Sequence, residues 1–203
     1  MNLQEKSQEV RRVFDELDVE IKAFLEASKL TCISGCGFCC ANPKVNASVL
    51  EFLPLAFDLY DKGKAEKALE ILESKGEQSF CLVYKSTSLD NAMGFCSDYT
   101  NRGLICRLFS SSSRKNKLGK KEIITCKKIK ESKKSEFESA SKSINEDLLI
   151  PSTTGIYNQL YNIDFQLTSQ QFPINQAIKK ALEMVLSYKF YTENQEPESS
   201  ENF

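Results

Sequence analysis

The chain has 203 residues, 41% of them hydrophobic, which is enough for one domain with a real core. Its formal net charge of -1 gives no global attraction to nucleic acid or to an anionic membrane. Eight cysteines and no histidine exclude Ser-His-Asp and Cys-His catalysis, and they restrict any zinc site to thiolate and carboxylate ligands.

In chain order, Met1 to Glu20 is charged and lacks the apolar run of a signal peptide. Residues 4 to 29 predict an amphipathic helix, because Val10, Val13, Phe14, Leu17, Ile21, Phe24 and Leu25 recur at three- and four-residue steps. The stretch TCISGCGFCC, Thr31 to Cys40, then packs four cysteines into ten residues. Gly35 and Gly37 flank Cys36, so the backbone there can turn tightly and direct N–H groups at sulfur. Ser48 and Glu51 are spaced as a capping box for a helix running toward Tyr60, with Pro54 either kinking it or moving its start. That window, Val49 to Tyr60, is the most apolar in the chain and too short to span a bilayer. The expectation is a soluble, cytoplasmic protein without membrane contact. In a reducing cytosol, clustered cysteines point to metal ligation before disulfides.

Lys64 to Ser74 predicts a short helix ending near Gly76. From Gln78 to Thr125 the periodicity disappears, with brief strands expected at Leu82 to Tyr84 and Glu122 to Cys126. A long irregular region with little apolar content does not order itself. Cys81, Cys96, Cys106 and Cys126 fall within it or at its end, and metal ligation would supply the missing stabilisation. Lys127 to Leu149 reads as polar and partly helical. Thr154 to Leu167 reads as a helix with Ile156, Leu160, Ile163 and Leu167 on one side. Pro173 fits the first turn of a last helix reaching about Tyr191. The acidic end, residues 193–203, is expected to be disordered. The class expected is mainly α: helices packed around an irregular, metal-stapled region, 30–127, in one domain, 1–192.

Cys32, Cys36 and Cys39 in isolation have the CxxxCxxC spacing of radical S-adenosylmethionine enzymes. A helix rather than a strand precedes the loop, no strand–helix alternation follows, and no Gly-Gly-Glu stretch occurs, which argues against that chemistry. Adjacent Cys39 and Cys40 are awkward ligands for one metal, so they point to two nearby metals, or to one ligand and one neighbour. Eight thiolates, Cys32, Cys36, Cys39, Cys40, Cys81, Cys96, Cys106 and Cys126, suit two four-cysteine sites or one multinuclear cluster. Cysteines buried as small hydrophobes, and disulfides, are the competing readings.

Read together, the loop, Cys81-Leu-Val-Tyr84 and the segment CSDYTNRGLICR resemble the cysteine-cluster proteins called YkgJ-like. The family has a compact CxxCxxCC-type loop and a later C-x-x-Y-x-x-R-P-x-x-C-R signature. Cys96, Tyr99, Arg102, Cys106 and Arg107 are in register with that signature. Two departures stand out: a first gap of three residues, which makes Cys32 the least secure ligand, and Gly103 where proline is usual. The resemblance implies zinc or iron as cofactor, an iron–sulfur cluster included. It also extends to flagellin lysine N-methylases, through the cysteine region alone. Arg102 and Arg107 are expected to offset the negative charge of the thiolates, and Tyr99 to pack in the core.

Arg114 to Lys134 carries ten basic residues against two glutamates, a net of +8, leaving the rest of the chain at about -9. It is either a solvated face that compensates the thiolates or a contact for a protein partner or nucleic acid. No aromatic lies between Phe109 and Phe137 to stack a base. The functions these features support are a structural or regulatory metal-binding module, an iron–sulfur redox protein, and a component of a modifying enzyme.

Overall fold

The computed structural model describes residues 1–74, 79–89 and 93–193. The expected end of the third helix near Gly76 and almost all of the acidic tail lie outside the described residues. Helix α1, Leu3–Ser28, follows the predicted stripe: Val10, Val13, Phe14, Leu17, Ile21 and Phe24 are buried. Asn2 and Glu5 close a reciprocal capping box at its start, and Lys29 ends it in the left-handed conformation. After the cysteine loop come β1 (Asn46–Ser48), a 3-10 turn (Leu50–Phe52) and α2 (Leu53–Asp61). Pro54 sits in the first turn of α2, so it starts a helix rather than kinking one.

Ser48 and Glu51 do interact, but not as a capping box. The Glu51 carboxylate is fully buried and accepts hydrogen bonds from the Ser48 N–H at 2.7 Å and the Ser48 hydroxyl at 2.9 Å. Its second oxygen accepts from the Ile105 N–H at 2.8 Å. Here the glutamate serves as the acceptor that joins two distant segments.

Helix α3 (Ala65–Ser74) follows, then β2 (Tyr84–Ser86), β3 (Gly94–Cys96), α4 (Leu104–Leu108), β4 (Ser112–Lys115) and β5 (Lys121–Ile124). Next are α5 (Lys127–Ser132), α6 (Lys134–Ser143), α7 (Thr153–Ile163), α8 (Phe165–Ser169), β6 (Gln171–Pro173) and α9 (Ile174–Glu193). The fold is mainly α, with short antiparallel pairs β1–β6, β2–β3 and β4–β5. The helix expected from Thr154 to Leu167 breaks at Asp164, whose side chain caps α8 by accepting from the Leu167 N–H. Pro173 ends β6 instead of entering α9, pairing with Asn46 of β1.

The main core gathers the buried faces of α1, α2, α3, α7 and α9. Ala177, Ile178, Ala181, Leu182 and Val185 of α9 are completely buried there. Each such leucine or isoleucine contributes roughly 1.5–3 kcal/mol by leaving water. Cys81, Tyr84, Leu104 and Leu108 insert from the cysteine-rich side. A second, smaller cluster holds Phe24, Leu30, Ile123, Ile129, Ala140 and Ile144, with Cys126 packed against it. Among the described residues, no helix is long and apolar enough to cross a membrane.

Candidate metal centre

The cysteine loop is pinned from both ends. Lys133, at the end of α5, donates to the Lys29 carbonyl at 2.9 Å and the Thr31 hydroxyl at 2.6 Å. Gly35 and Gly37 take φ of 67° and 56°, conformations that a side chain disfavours. A Cβ on Gly37 would also stand 2.7 Å from the Tyr84 ring and 2.8 Å from the Gly94 carbonyl oxygen. The loop therefore lies directly on the β2–β3 hairpin, with the Gly94 N–H donating to the Gly35 carbonyl at 2.9 Å. Cys36 bridges to Gly94, and Cys96 stands opposite Tyr84 in the hairpin register. The Cys81 N–H meets the Cys40 carbonyl at 3.5 Å.

The segment CSDYTNRGLICR is fastened to α1. Arg11 donates to the Asn101 side-chain oxygen at 2.9 Å and to the Pro54 carbonyl at 2.7 Å. Seven residues along the same helix, Asp18 pairs with Arg107. Arg107 also donates to the Thr100 and Arg102 carbonyls, and its guanidinium lies 4.4 Å over the Phe14 ring. Its partners are thus α1 and its own segment, which fastens the turn that carries Cys106 to α1. Gly103 precedes α4 with an ordinary φ of -63°. A Cβ there would come within 2.6 Å of Phe52 and 2.9 Å of Glu51, so Phe52 occupies the space that a proline ring would need.

Tyr99 corrects the expectation of a core residue. Its side chain is 65% exposed, and Arg102 stacks on its ring at 3.8 Å. Arg102, expected to balance the thiolate charge, lies over the Tyr99 ring. Its Nε is buried without a hydrogen-bond partner among the described residues, and its charge acts on Cys39 and Cys96.

The loop thiols and those from the later segments influence one another. Cys39 and Cys40 place their sulfurs 3.9 Å apart. The contact lowers the Cys39 thiol to about 6 and, together with burial, raises that of Cys40. Burial raises Cys32, reinforced by Cys39, Cys36 and Cys126. Burial also holds Cys106 well above the usual range, reinforced by Cys81, Glu51, Cys39 and Cys96. Cys96 is raised mainly by burial. Cys126 caps α5, its sulfur accepting from the Ile129 N–H at 3.4 Å. No disulfide joins any of these cysteines among the described residues.

A model of the CxxCxxCC family, described as "Putative zinc- or iron-chelating domain", matches residues 31–139, more than half of the chain. The chain belongs to the CxxCxxCC family. The match takes in all eight cysteines of this CxxCxxCC protein, together with Arg102 and the whole basic run. No curated protein and no solved structure matches the chain.

The donor set fits the metals named for the CxxCxxCC family. Thiolates without histidine select zinc or iron–sulfur clusters. The orphaned Arg102 Nε is suited to donate to a thiolate. Among the described residues, no three Cys, Asp or Glu side chains converge into a group that could already hold a metal ion. The loop, β2–β3, α4 and the start of α5 supply the donors on segments that pack against one another.

Two features of the centre lacked any local signal. The role of Glu51 depends on Ile105, 54 positions away, and the engagement of Arg107 depends on Asp18, 89 positions away. The traces of the first were the place of Glu51 within the apolar window Val49 to Tyr60 and its spacing from Ser48.

Proposed function

We propose that this protein holds zinc or iron through its eight cysteines in two neighbouring four-thiolate groups, and that the metals organise the cysteine-rich region as a structural or regulatory module. The observation that carries the reading is the packing of cysteine-bearing segments on the loop 32–40: Cys36 bridges to Gly94 of the hairpin that carries Cys96, the Cys81 N–H meets the Cys40 carbonyl, and the Cys39 and Cys40 sulfurs lie 3.9 Å apart. Cys40, Cys81 and Cys106 pack on the main core, and Cys96 pairs with Tyr84 beside them. Cys126 packs on the second cluster, and the Lys133 contacts bring α5 against the start of the loop carrying Cys32. These placements support Cys40, Cys81, Cys96 and Cys106 as one group, and Cys32, Cys36, Cys39 and Cys126 as the other. Arg102 would donate to sulfur between them and offset their charge.

A closed thiolate zinc site is structural, whereas an iron–sulfur cluster supplies electron transfer. Acid-labile sulfide in anaerobically purified protein distinguishes the two.

The test of the grouping is metal content in Cys81→Ser and Cys126→Ser. Serine still caps α5 at position 126, so that variant keeps its local fold. Each variant is expected to lose about half of the wild-type metal and retain the rest. Complete loss in both would replace the two groups by one multinuclear centre. Unchanged content in both would remove these cysteines from the ligand set.

A further inference from the structure

The basic run folds largely into the β4–β5 hairpin and α5, and most of its basic side chains are exposed. Lys115, Lys117, Lys120, Lys128 and Lys130 are exposed, and none of them has an ion pair among the described residues. The sequence of the run lacks an aromatic, but the fold supplies one. Phe38, from the cysteine loop, is 56% exposed, and the Lys128 Nζ lies 4.6 Å over its ring. Phe95 is also exposed and adjoins Gly94, whose carbonyl lies against Gly37, so it flanks the same backbone contact.

We propose that this face binds single-stranded nucleic acid, with the hairpin and α5 lysines on the phosphates and Phe38 stacking a base. A lysine beside an exposed ring provides the two contacts that unpaired nucleotides require: a cation for phosphate and a platform for the π-face. Bases paired in a duplex cannot reach such a ring, which favours single strands. The surface is built on the loop and α5, so it depends on the cysteine region being ordered. It does not depend on which metal orders that region.

The test uses full-length protein as purified, with a fluorescein-labelled oligouridylate of about twelve nucleotides, within the site sizes of such surfaces. Anisotropy is followed from about 50 to about 200 mM KCl, and the metal content of every variant is measured alongside. Affinity is expected to fall with salt at a log–log slope of about -2 to -4. Lys117→Glu combined with Lys120→Glu and Lys128→Glu is expected to reduce binding at least about tenfold and flatten that slope. Phe38→Ala is expected to weaken binding by about tenfold with the slope unchanged. These losses at full metal content support the proposal independently of the metal assignment. Absence of binding at the lowest salt would overturn it, as would full affinity in Phe38→Ala. Equal affinity for a duplex of the same length would overturn the single-strand preference. Equally tight capture of polyglutamate, insensitive to Phe38→Ala, would reassign the face to an acidic protein.

Discussion

Chelating the metal is expected to leave the helical core standing while the cysteine-rich region loses its order. The core of α1, α2, α3, α7 and α9 is apolar and continuous, and most of its buried residues lie outside residues 31–44 and 79–126. The cysteine-rich region contributes only a few anchors to it, among them Cys81, Tyr84, Leu104 and Leu108. Its β2–β3 pair and α4 are three to five residues long, too short to persist without tertiary support. Thiolate–metal bonds would supply that support, and structural zinc contributes on the order of 10 kcal/mol in small domains. Helical circular dichroism should therefore remain largely intact. Hydrogen exchange should accelerate in residues 31–44, 79–89 and 93–126, and the melting temperature should fall by more than about 10 °C. An unchanged melting temperature and exchange pattern after verified metal removal would contradict a structural role for the metal.

The second large effect is expected at Glu51. Its carboxylate is completely buried and receives the Ser48 N–H, the Ser48 hydroxyl and the Ile105 N–H. Glu51→Ala leaves these donors without an acceptor. Each buried orphan costs about 1–3 kcal/mol, so a loss of roughly 3 kcal/mol or more is expected in denaturant melts at neutral pH. The damage should reach the metal centre, because the Ile105 N–H opens the turn that carries Cys106. Burial raises the Glu51 carboxyl above its ordinary value of 4.5. A carboxyl raised on folding binds its proton more tightly in the native state. The stability linked to it is therefore fully present below the unfolded value and declines as pH rises through the folded one. The cost of Glu51→Ala should accordingly shrink as pH rises from about 4.5. A cost below about 1 kcal/mol, or one that grows with pH, would show that Glu51 is not the junction described.

Elements whose information is local were legible in the sequence. The stripes of α1 and α9 repeat over many turns, so neighbouring residues alone place their buried faces. The region after Gln78 was not legible, because its order comes from partners far along the chain. Gly94 pairs with Gly35, Asn101 meets Arg11, and Ile105 meets Glu51. The same reasoning explains the misplacement of Tyr99. An aromatic inside a cysteine signature reads as core, but its ring is exposed and its neighbour Arg102 covers one face. The cysteines themselves were legible as a family pattern, since their long-range spacing survives without any knowledge of the fold. The grouping proposed above was not, because it rests on which of two apolar clusters Cys40, Cys81, Cys106 and Cys126 pack against. Phe38 is the plainest case: the aromatic that the basic run lacks lies about ninety residues earlier in sequence and under Lys128 in space.

Metal binding by these thiols is tested most directly by elemental analysis of the protein purified anaerobically, with sulfide and the visible spectrum recorded on the same sample. Zinc or iron bound in at least stoichiometric amount, at about two zinc ions or one to two iron–sulfur clusters per chain, is the expected result. Protein that stays folded with all eight thiols titratable and neither zinc nor iron bound, even after anaerobic reconstitution, would contradict it.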